Sequence, residues 1–596
     1  MNILDIIPLA NIPRPNPQVL SYYYPERAER FSMIAVPLGR KLYQGLVVGT
    51  REVKDIKSTL RKGNFQLKKA ARILHPFPVI QEEQFHFAQW MSEYYWTSLG
   101  FTIKRLIPSY LRKHPESLYF GGGIGESDEQ TLWLFPDASF FQKVELPKRF
   151  IHISSSLSEK EEFQFFKLIA SGKENIVLGT KRAVFAPYKR LKEVHIFEEA
   201  DTSHKSWDQH PKYNAAYAAK TLARLHKAKV FYHSTLPSLE SFAKKTPSKA
   251  FLPRFSKHEV TILNLAGQRL QKSFSDVLEK ALRDCYLKGK QGIIYVNRRG
   301  EGRFILCRDC GFTPKCPKCD LSLVLHLIKG NEAKRRLLCH HCGYEEKSPS
   351  LCGECGSHEI RSYGFGTERV QKELSSLFPN AKLLRLDSDS APREPDKKAI
   401  LEKFFLGGTF LIATSMLFQA KPKGVDLVAA INPDTEINIP DFAQHERLFF
   451  NLWRLRQWTK GVFYLQTYNS SNPIFTALEK GNWRIFYREE LEARKALNYP
   501  PFSSIIKLIY AHANERKAYE EAKLLQKKIS YALRKKCEED IHQLLGPAPS
   551  FLFKLRGRYS YNMLLKLVPK DTRCKTMILS LLPSGWEVDV DPVDSL

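Results

Sequence analysis

Eight of the eleven cysteines fall between Cys307 and Cys355, and they come as four Cys-x-x-Cys pairs: Cys307/Cys310, Cys316/Cys319, Cys339/Cys342 and Cys352/Cys355. Two thiolates separated by two residues can hold one zinc ion through a tight knuckle, and two knuckles complete a tetrahedral four-sulfur site. Eight sulfurs therefore predict two closed sites and two zinc ions. Gly311, Gly343 and Gly356 follow the second cysteine of three pairs, where a glycine can take the positive φ that turns the chain and brings its amides to the sulfur. A closed site leaves no open position, so this zinc is structural. A redox Cys-x-x-Cys normally stands alone beside a βαβ unit, and reduced core thiols do not require the spacing. Cys285, Cys537 and Cys574 stand apart and read as packing residues.

The elements that must position these residues come in several domains. At roughly 150 residues per domain, a chain of 596 residues holds about four. With 43% hydrophobic and 26% charged residues and a mean hydropathy of −0.35, general disorder, collagen-like sequence and a membrane channel are excluded. Lys and Arg number 92 against 63 Asp and Glu, a net charge of +29 with a pI near 9.5. That excess points to a polyanionic partner, nucleic acid first. No run approaches the ~18 consecutive apolar residues of a spanning helix, and MNILDIIPLANIPRPNP has no basic segment ahead of an apolar core. The expectation is a cytoplasmic protein with no membrane partner, in a compartment where clustered cysteines favour metal over disulfides.

Residues 1 to about 112 read as strands followed by helix, and a break follows at KHPESLYFGGGIGESDEQ. From 130 to 250 the apolar runs TLWLFPD, FIHIS, NIVLGT, EVHIFEE and KVFYHST alternate with helical segments, the pattern of a parallel α/β sheet. The alternation resumes at KQGIIYVNRRG, is interrupted by the cysteines, and continues through NAKLLRLDSD, TFLIATS and VDLVAAINPD. From about 475, long charged helices precede strand-like runs. The fold class expected is multidomain α/β with a separate α+β domain at the end.

The cysteine block with its flanks, NRRGEGRFILCRDCGFTPKCPKCDLSLVLH, LLCHHCGYEEKSPSLCGECGS and YGFGTERVQKEL, resembles the primosomal replication-restart DNA helicases, the PriA family. GTKRAVFAPYKRL, STLPSLES, PDFAQHERLFF, LQTYN, YPPF and GPAPSFLFKLRGRY are similar to family segments in family order, so the likeness covers most of the chain. The resemblance implies a β-rich 3′-DNA-end-binding domain over 1–112, a first RecA-like lobe over 116–250, a second over 275–306 and 358–472, a two-zinc insertion over 307–357 and a C-terminal α+β domain over 475–596. It implies 3′-to-5′ unwinding at abandoned forks and a winged helix. It also implies nested zinc sites, 307/310 with 352/355 and 316/319 with 339/342, a pairing that spacing alone does not give.

Departures from the family pattern bear on the motor. An ATPase loop needs glycines that cradle phosphate, a lysine for the β/γ oxygens and a hydroxyl on Mg²⁺. Ahead of TLWLFPD stands Gly121-Gly122-Gly123-Ile124-Gly125-Glu126-Ser127-Asp128, with no lysine and with acidic residues that repel a triphosphate. The Asp-Glu-x-His box reads Phe197-Glu198-Glu199-Ala200: the Mg²⁺ aspartate is a phenylalanine, the coupling histidine an alanine, and Glu198 reads as a solvated strand-end carboxylate. After Pro440-Asp441-Phe442 and Glu446-Arg447 the family's Gly-Arg-Ala-Gly-Arg segment is missing; Arg454 and Arg456 are out of register and read as basic surface. An arginine finger is worth roughly 10³–10⁵ in rate. The expectation is a degenerate motor in which ATP and Mg²⁺ have lost their ligands, without the winged helix, since only a few residues separate LIPSYLRKH from the glycines.

Candidate DNA contacts are Lys68 and Lys69, near a lysine of the family's 3′-end pocket; Arg298 and Arg299 beside the zinc insertion; and Arg556 and Arg558 in KLRGRYSYN. The family's Phe-Asp-Tyr reads Leu20-Ser21-Tyr22, which removes its carboxylate, while Tyr22, Tyr23 and Tyr24 offer either base stacking or an aromatic strand packed on its own sheet. Three readings follow. The first is a DNA-binding protein of replication restart that recognises forks or single strands without hydrolysing ATP. The second is an ATP-dependent helicase with divergent motifs. The third is a protein-interaction platform built on the zinc module. The partners implied are DNA, other primosome proteins, single-strand-binding protein and the replicative helicase loader.

Overall fold

The computed structural model describes residues 2–52, 67–117, 129–207, 209–245, 259–268, 272–296, 304–327, 335–363, 366–431, 433–537, 542–569 and 571–595. Among these residues the first sheet has six strands, β1 (Asn2–Pro8), β2 (Leu20–Tyr24), β3 (Met33–Leu38), β4 (Lys41–Glu52), β5 (Lys68–Lys69) and β6 (Arg72–His75), in the order β5-β2-β1-β4-β3-β6. Residues of β1, β3 and β4 enter two cores. Leu4, Ile6, Ile34, Val36 and Val47 pack with Tyr22 in one, while Ile7, Met33 and Leu46 join the helices Glu82–Tyr94 and Leu99–Leu106 in the other. The second helix lies so close to β1 that a Cβ on Gly100 would meet the Pro8 carbonyl oxygen at 1.8 Å.

The alternating region forms the expected parallel sheet. β7 (Gln130–Leu134), β8 (Ile151–Ile153), β9 (Ile176–Gly179), β10 (Leu191–Phe197) and β11 (Lys229–His233) are ordered β11-β10-β7-β9-β8, every pair parallel. Helices Glu159–Ser171 and Ala215–His226 cover it, so its strands are rich in buried apolar residues. Further along come β12 (Val260–Asn264) and β13 (Gly292–Tyr295). The cysteine segment follows with β14 (Phe304–Cys307), β15 (Val324–Leu327), β16 (Arg335–Leu338), β17 (Glu345–Lys347) and β18 (Ile360–Tyr363). The chain then returns with β19 (Leu383–Leu386), β20 (Phe410–Ala413), β21 (Val425–Ala430) and β22 (Thr459–Thr467). A second parallel sheet, β12-β22-β21-β13-β20-β19, results. The two sheets are the RecA-like lobes, and the zinc module is an insertion in the second. That lobe's core takes in more than 275–306 and 358–472: β12 is its edge strand, and Phe475, Leu478, Phe486 and Tyr487 pack in one cluster with Trp453 and Phe463.

The C-terminal domain pairs β23 (Ser504–His512), β24 (Gln543–Leu555), β25 (Arg558–Leu567) and β26 (Glu587–Val590) as an antiparallel sheet, β24-β25-β23-β26, with the helix Glu515–Lys536 packed on it. Its core is continuous with that of the first lobe and the N-terminal helices: Phe87, Leu132, Ile196, Ile506 and Met563 belong to one cluster. No described helix is long and apolar enough to cross a membrane.

Lys205 ties the first lobe to the C-terminal domain. Its side chain is 1% exposed and its ammonium donates to the carbonyls of Val590 (2.6 Å) and Asp591 (2.9 Å) while pairing with Asp589 at 2.8 Å. Removing one partner of a buried pair strands the other, at about 3–5 kcal/mol. Lys205→Met is therefore expected to lose about that much stability in urea unfolding; a loss below about 1 kcal/mol, the range of surface pairs, would contradict it.

Candidate metal centres, interlobe junction and nucleic-acid surface

Each Cys-x-x-Cys pair turns through a knuckle. The amides of Gly311, Gly343 and Gly356 donate to the carbonyls of Cys307 (2.8 Å), Cys339 (2.9 Å) and Cys352 (3.0 Å), with φ of 80°, 77° and 70°. The fourth pair has no glycine; Asp320 takes φ 55° there and donates to the Cys316 carbonyl at 2.8 Å, a conformation that aspartate tolerates better than most residues. The sulfurs gather into two nested groups, Cys307, Cys310, Cys352 and Cys355 in one and Cys316, Cys319, Cys339 and Cys342 in the other, each within 4.8 Å throughout. Cys307 to Cys355 is 3.7 Å, Cys310 to Cys352 3.5 Å and Cys316 to Cys342 3.5 Å. A tetrahedral zinc with bonds of about 2.3 Å spaces its sulfurs about 3.8 Å apart, so both donor sets fit one ion. The module is wedged between two domains. A Cβ on Gly311 would meet the Tyr468 carbonyl at 2.4 Å, Ser322 donates to Asn438 (3.0 Å), and the His340 Nδ1–H donates to the Pro549 carbonyl of β24 (3.0 Å).

The two lobes meet at the end of β10. Phe197 stacks on Phe135 with ring centroids 4.3 Å apart and on His233 at 4.6 Å, in a cluster with Phe140 and Leu178. Phe197 is thus a buried aromatic ring at the end of β10. Ala200 packs on the core of the second lobe. Glu198, at φ 47°, accepts from the Thr235 amide (3.0 Å) and hydroxyl (2.6 Å) and from Arg454 Nη2 (3.2 Å); Arg454 Nη1 donates to Asp201 (3.0 Å). These side chains are 11–15% exposed. The expected roles of Arg454 as basic surface and Glu198 as a solvated carboxylate are therefore corrected. The helix Gln444–Arg456 presses its last turn against the first lobe, and the two residues neutralise each other.

Burial works against charge on Arg454, but Asp201 and Glu198 outweigh it and hold the guanidinium above its ordinary pKa. Burial likewise opposes ionisation of Asp201, and Arg454 with the Ser203 amide more than offsets it, so Asp201 stays below the usual carboxylate range. Lys143 donates to the Phe418 carbonyl of the second lobe (2.5 Å). Burial, helped by the charge of Arg454, pushes its pKa down to about 8. Leu236 and Leu239 of the first lobe lie in the second lobe's core, the Leu239 amide donates to Glu446 (3.0 Å), and the Tyr487 hydroxyl donates to the Pro237 carbonyl (2.6 Å). The junction balances its own charge with protein groups. The glycine-rich stretch Gly121–Asp128 lies outside the described residues.

Lys68 and Lys69 are exposed on β5, paired in register with Tyr22 and Tyr23 of β2. Tyr22 is buried and donates to the Pro37 carbonyl (3.0 Å), which makes it a core residue rather than a stacking platform; Tyr23 and Tyr24 are half-buried. Beside Ser21 lies a carboxylate that no motif flagged: Asp5 of the neighbouring strand accepts from Ser21 (2.8 Å) and Arg51 (2.6 Å). Arg556 and Arg558 are exposed on the hairpin joining β24 and β25, Arg558 donating to the Ala511 carbonyl (2.5 Å). Arg298 and Arg299 lie outside the described residues. Cys537 and Cys574, expected as separate packing residues, form a disulfide because their helices end side by side; Cys285 is buried in the second lobe.

The family model for the 3′ DNA-binding domain of PriA matches residues 10–108, that for the Cys-rich region of the PriA DNA helicase 316–347, and that for the primosomal protein N C-terminal domain 495–593. The replication restart protein PriA of Rickettsia prowazekii is 32% identical over 467 residues, which cover 74% of this chain and 69% of that protein. The protein of the same name from Rickettsia conorii is 28% identical over 96% of this chain and 97% of its own length. The one from Synechocystis sp. is 31% identical over 74% of this chain, and the match spans about half (55%) of that protein. Among solved structures, DUF1998 helicase MrfA bound to DNA has a TM-score of 0.33 at 9% identity, covering 77% of this chain and 52% of that one, a likeness too distant to carry argument.

The eight cysteines of the four pairs are expected to hold two zinc ions in reduced protein, and Cys316→Ser should remove one of them; elemental analysis showing fewer than one in the unaltered chain would contradict the donor geometry. Arg454→Met strands Glu198 and Asp201 and should cost about 3–5 kcal/mol in chemical unfolding, partly restored by adding Glu198→Gln and Asp201→Asn. Because the folded pKa of Asp201 is depressed, its contribution is full above the unfolded value of about 3.9 and is lost as pH falls through the folded one. The stability gap between the unaltered chain and Arg454→Met should therefore narrow in acid.

Proposed function

Because the chain belongs to the family of the replication restart protein PriA, we propose that it is a DNA-binding protein of replication restart. On this reading it recognises forked or single-stranded DNA, holds two structural zinc ions and does not hydrolyse ATP. The match to the PriA 3′ DNA-binding domain over 10–108 supports recognition of DNA, as does the net charge of +29. The exposed basic residues lie on two different sheets, Lys68 and Lys69 on the N-terminal one and Arg556 and Arg558 on the C-terminal one, as a surface that follows a branched or bent strand requires.

The single observation that carries the absence of hydrolysis is the junction of Arg454 with Glu198 and Asp201. Phosphoryl transfer is mostly positioning plus charge neutralisation. A cation committed to two carboxylates is not free to meet a transferring phosphate. The stacked rings of Phe197 and Phe135 offer no ligand to Mg²⁺ where the family box has its aspartate. Glu198, which keeps the position of the water-activating glutamate, is held by Thr235 and Arg454. On the same reading the partners are the DNA fork, other primosome proteins, single-strand-binding protein and the loader of the replicative helicase.

DNA affinity should fall steeply with salt, because released counterions drive phosphate binding. Replacing Lys68, Lys69, Arg556 and Arg558 together by alanine should lower the slope of log K against log[salt] by about 3 on single strands, at about 0.7 per phosphate contact. An unchanged slope would contradict these contacts. ATP hydrolysis is expected to stay at background with and without forked DNA; a rate stimulated by forks and abolished by Glu198→Gln would favour an ATP-driven helicase instead.

A further inference from the structure

A third group of ligating atoms lies outside the cysteine block. Cys537 caps the C-terminal end of the helix Glu515–Lys536, and Cys574 lies on the helix Thr572–Leu579; their sulfurs are bonded to each other. A ring nitrogen of His542, just ahead of β24, lies within 4.8 Å of both sulfurs. The His542 side chain is 2% exposed, and its Nε2 is 3.1 Å from a carboxylate oxygen of Asp571. The other oxygen of Asp571 accepts from the Cys574 amide at 2.9 Å, which fixes the carboxylate beside the ring.

The His542 Nδ1 also accepts from the Val568 amide at 3.4 Å, so the ring is held in place against the two sulfurs. Two thiolates and one imidazole are donors that zinc prefers. Three protein donors leave one position of the tetrahedron to water or to Asp571. We propose that Cys537, Cys574 and His542 are a redox-gated zinc site: a disulfide when oxidised, and two thiolates with an imidazole around one zinc ion when reduced. In the reducing step an external dithiol gives two electrons and two protons. The Cys537–Cys574 bond breaks, two thiols form, and the dithiol becomes a disulfide. Zinc then displaces the two thiol protons. In the reverse direction an external disulfide takes up the electron pair, the bond re-forms and the ion leaves. In both states the end of the long C-terminal helix stays clipped to the helix Thr572–Leu579.

The test is zinc content of the full chain, reduced with a dithiol in the absence of oxygen, equilibrated with zinc chloride and desalted. The reduced unaltered chain should hold one more zinc than Cys574→Ser or Cys537→Ser, and one more than the same chain after oxidation. His542→Ala should lose that ion to a chelator that leaves it in the unaltered chain. Equal zinc in the reduced unaltered chain and the serine variants would overturn the proposal. Should the variants fail to fold, equal zinc in the reduced and oxidised unaltered chain would overturn it as well. Each reading is a difference of one ion, so a failure of the two four-cysteine sites to load would lower every sample alike and be recognised separately.

Discussion

The second lobe sets a buried arginine against two carboxylates of the first. Arg454 meets Glu198 and Asp201 at 3.2 and 3.0 Å in a place where all three are largely shielded from water. Charges there must be matched on the spot, since stranding a buried partner costs several kcal/mol. The surrounding arrangement follows from that demand. Glu198 takes a left-handed φ to present its carboxylate, Thr235 holds it from behind, and Lys143 crosses to a carbonyl of the second lobe. In a nucleotide-driven motor the anions between the lobes are phosphates. Here Glu198 and Asp201 supply the negative charge. Apolar contacts close the rest of the joint, with Leu236 and Leu239 seated in the second lobe's core and Ala200 against it. On the reading proposed above, the lobes form a scaffold whose closure does not wait for a ligand.

The zinc module extends this scaffold to the third partner in the fold. It departs from the second lobe at β14 and returns at β18, a pair that zips its two ends together. One knuckle abuts Tyr468 at the end of β22, and His340 and Gly343 abut the bulged stretch of β24 around Pro547 and Pro549. The C-terminal sheet in turn shares a core with the first lobe and the N-terminal helices, and Lys205 anchors its last strand. Lobe, zinc module, C-terminal sheet and first lobe thus form a closed circuit of contacts. The exposed basic residues of β5 and of the β24–β25 hairpin are carried on domains that this circuit joins.

Much of this was legible in the sequence where the signal is local. The knuckles are set by a two-residue spacing and, in three of four, a following glycine, and the parallel sheets by short apolar runs separated by helical patterns, so both are written in neighbours along the chain. What the sequence hid was long-range. Arg454 and Asp201 are 253 residues apart, and nothing local marks an arginine as the partner of a carboxylate on another lobe. Tyr22 was ambiguous because a strand of three tyrosines shows no alternation; only the placement of β1 and β3 decides which ring is buried. Cys537 and Cys574 each look like a solitary thiol until two helix ends are brought together. The helices Pro473–Glu479 and Trp483–Ala496 belong to the second lobe because Phe475 and Phe486 find their cavity there, which a charged, amphipathic sequence does not reveal.

Equilibrium binding of Mg·ATP to the purified chain bears most directly on the closed junction between the lobes. On the proposed reading, with Arg454 committed to Glu198 and Asp201 and Phe197 stacked on Phe135, titration should show no saturable binding up to about 1 mM, the upper end of ordinary enzyme affinities for substrate. Saturable, Mg²⁺-dependent binding well below that concentration would contradict it.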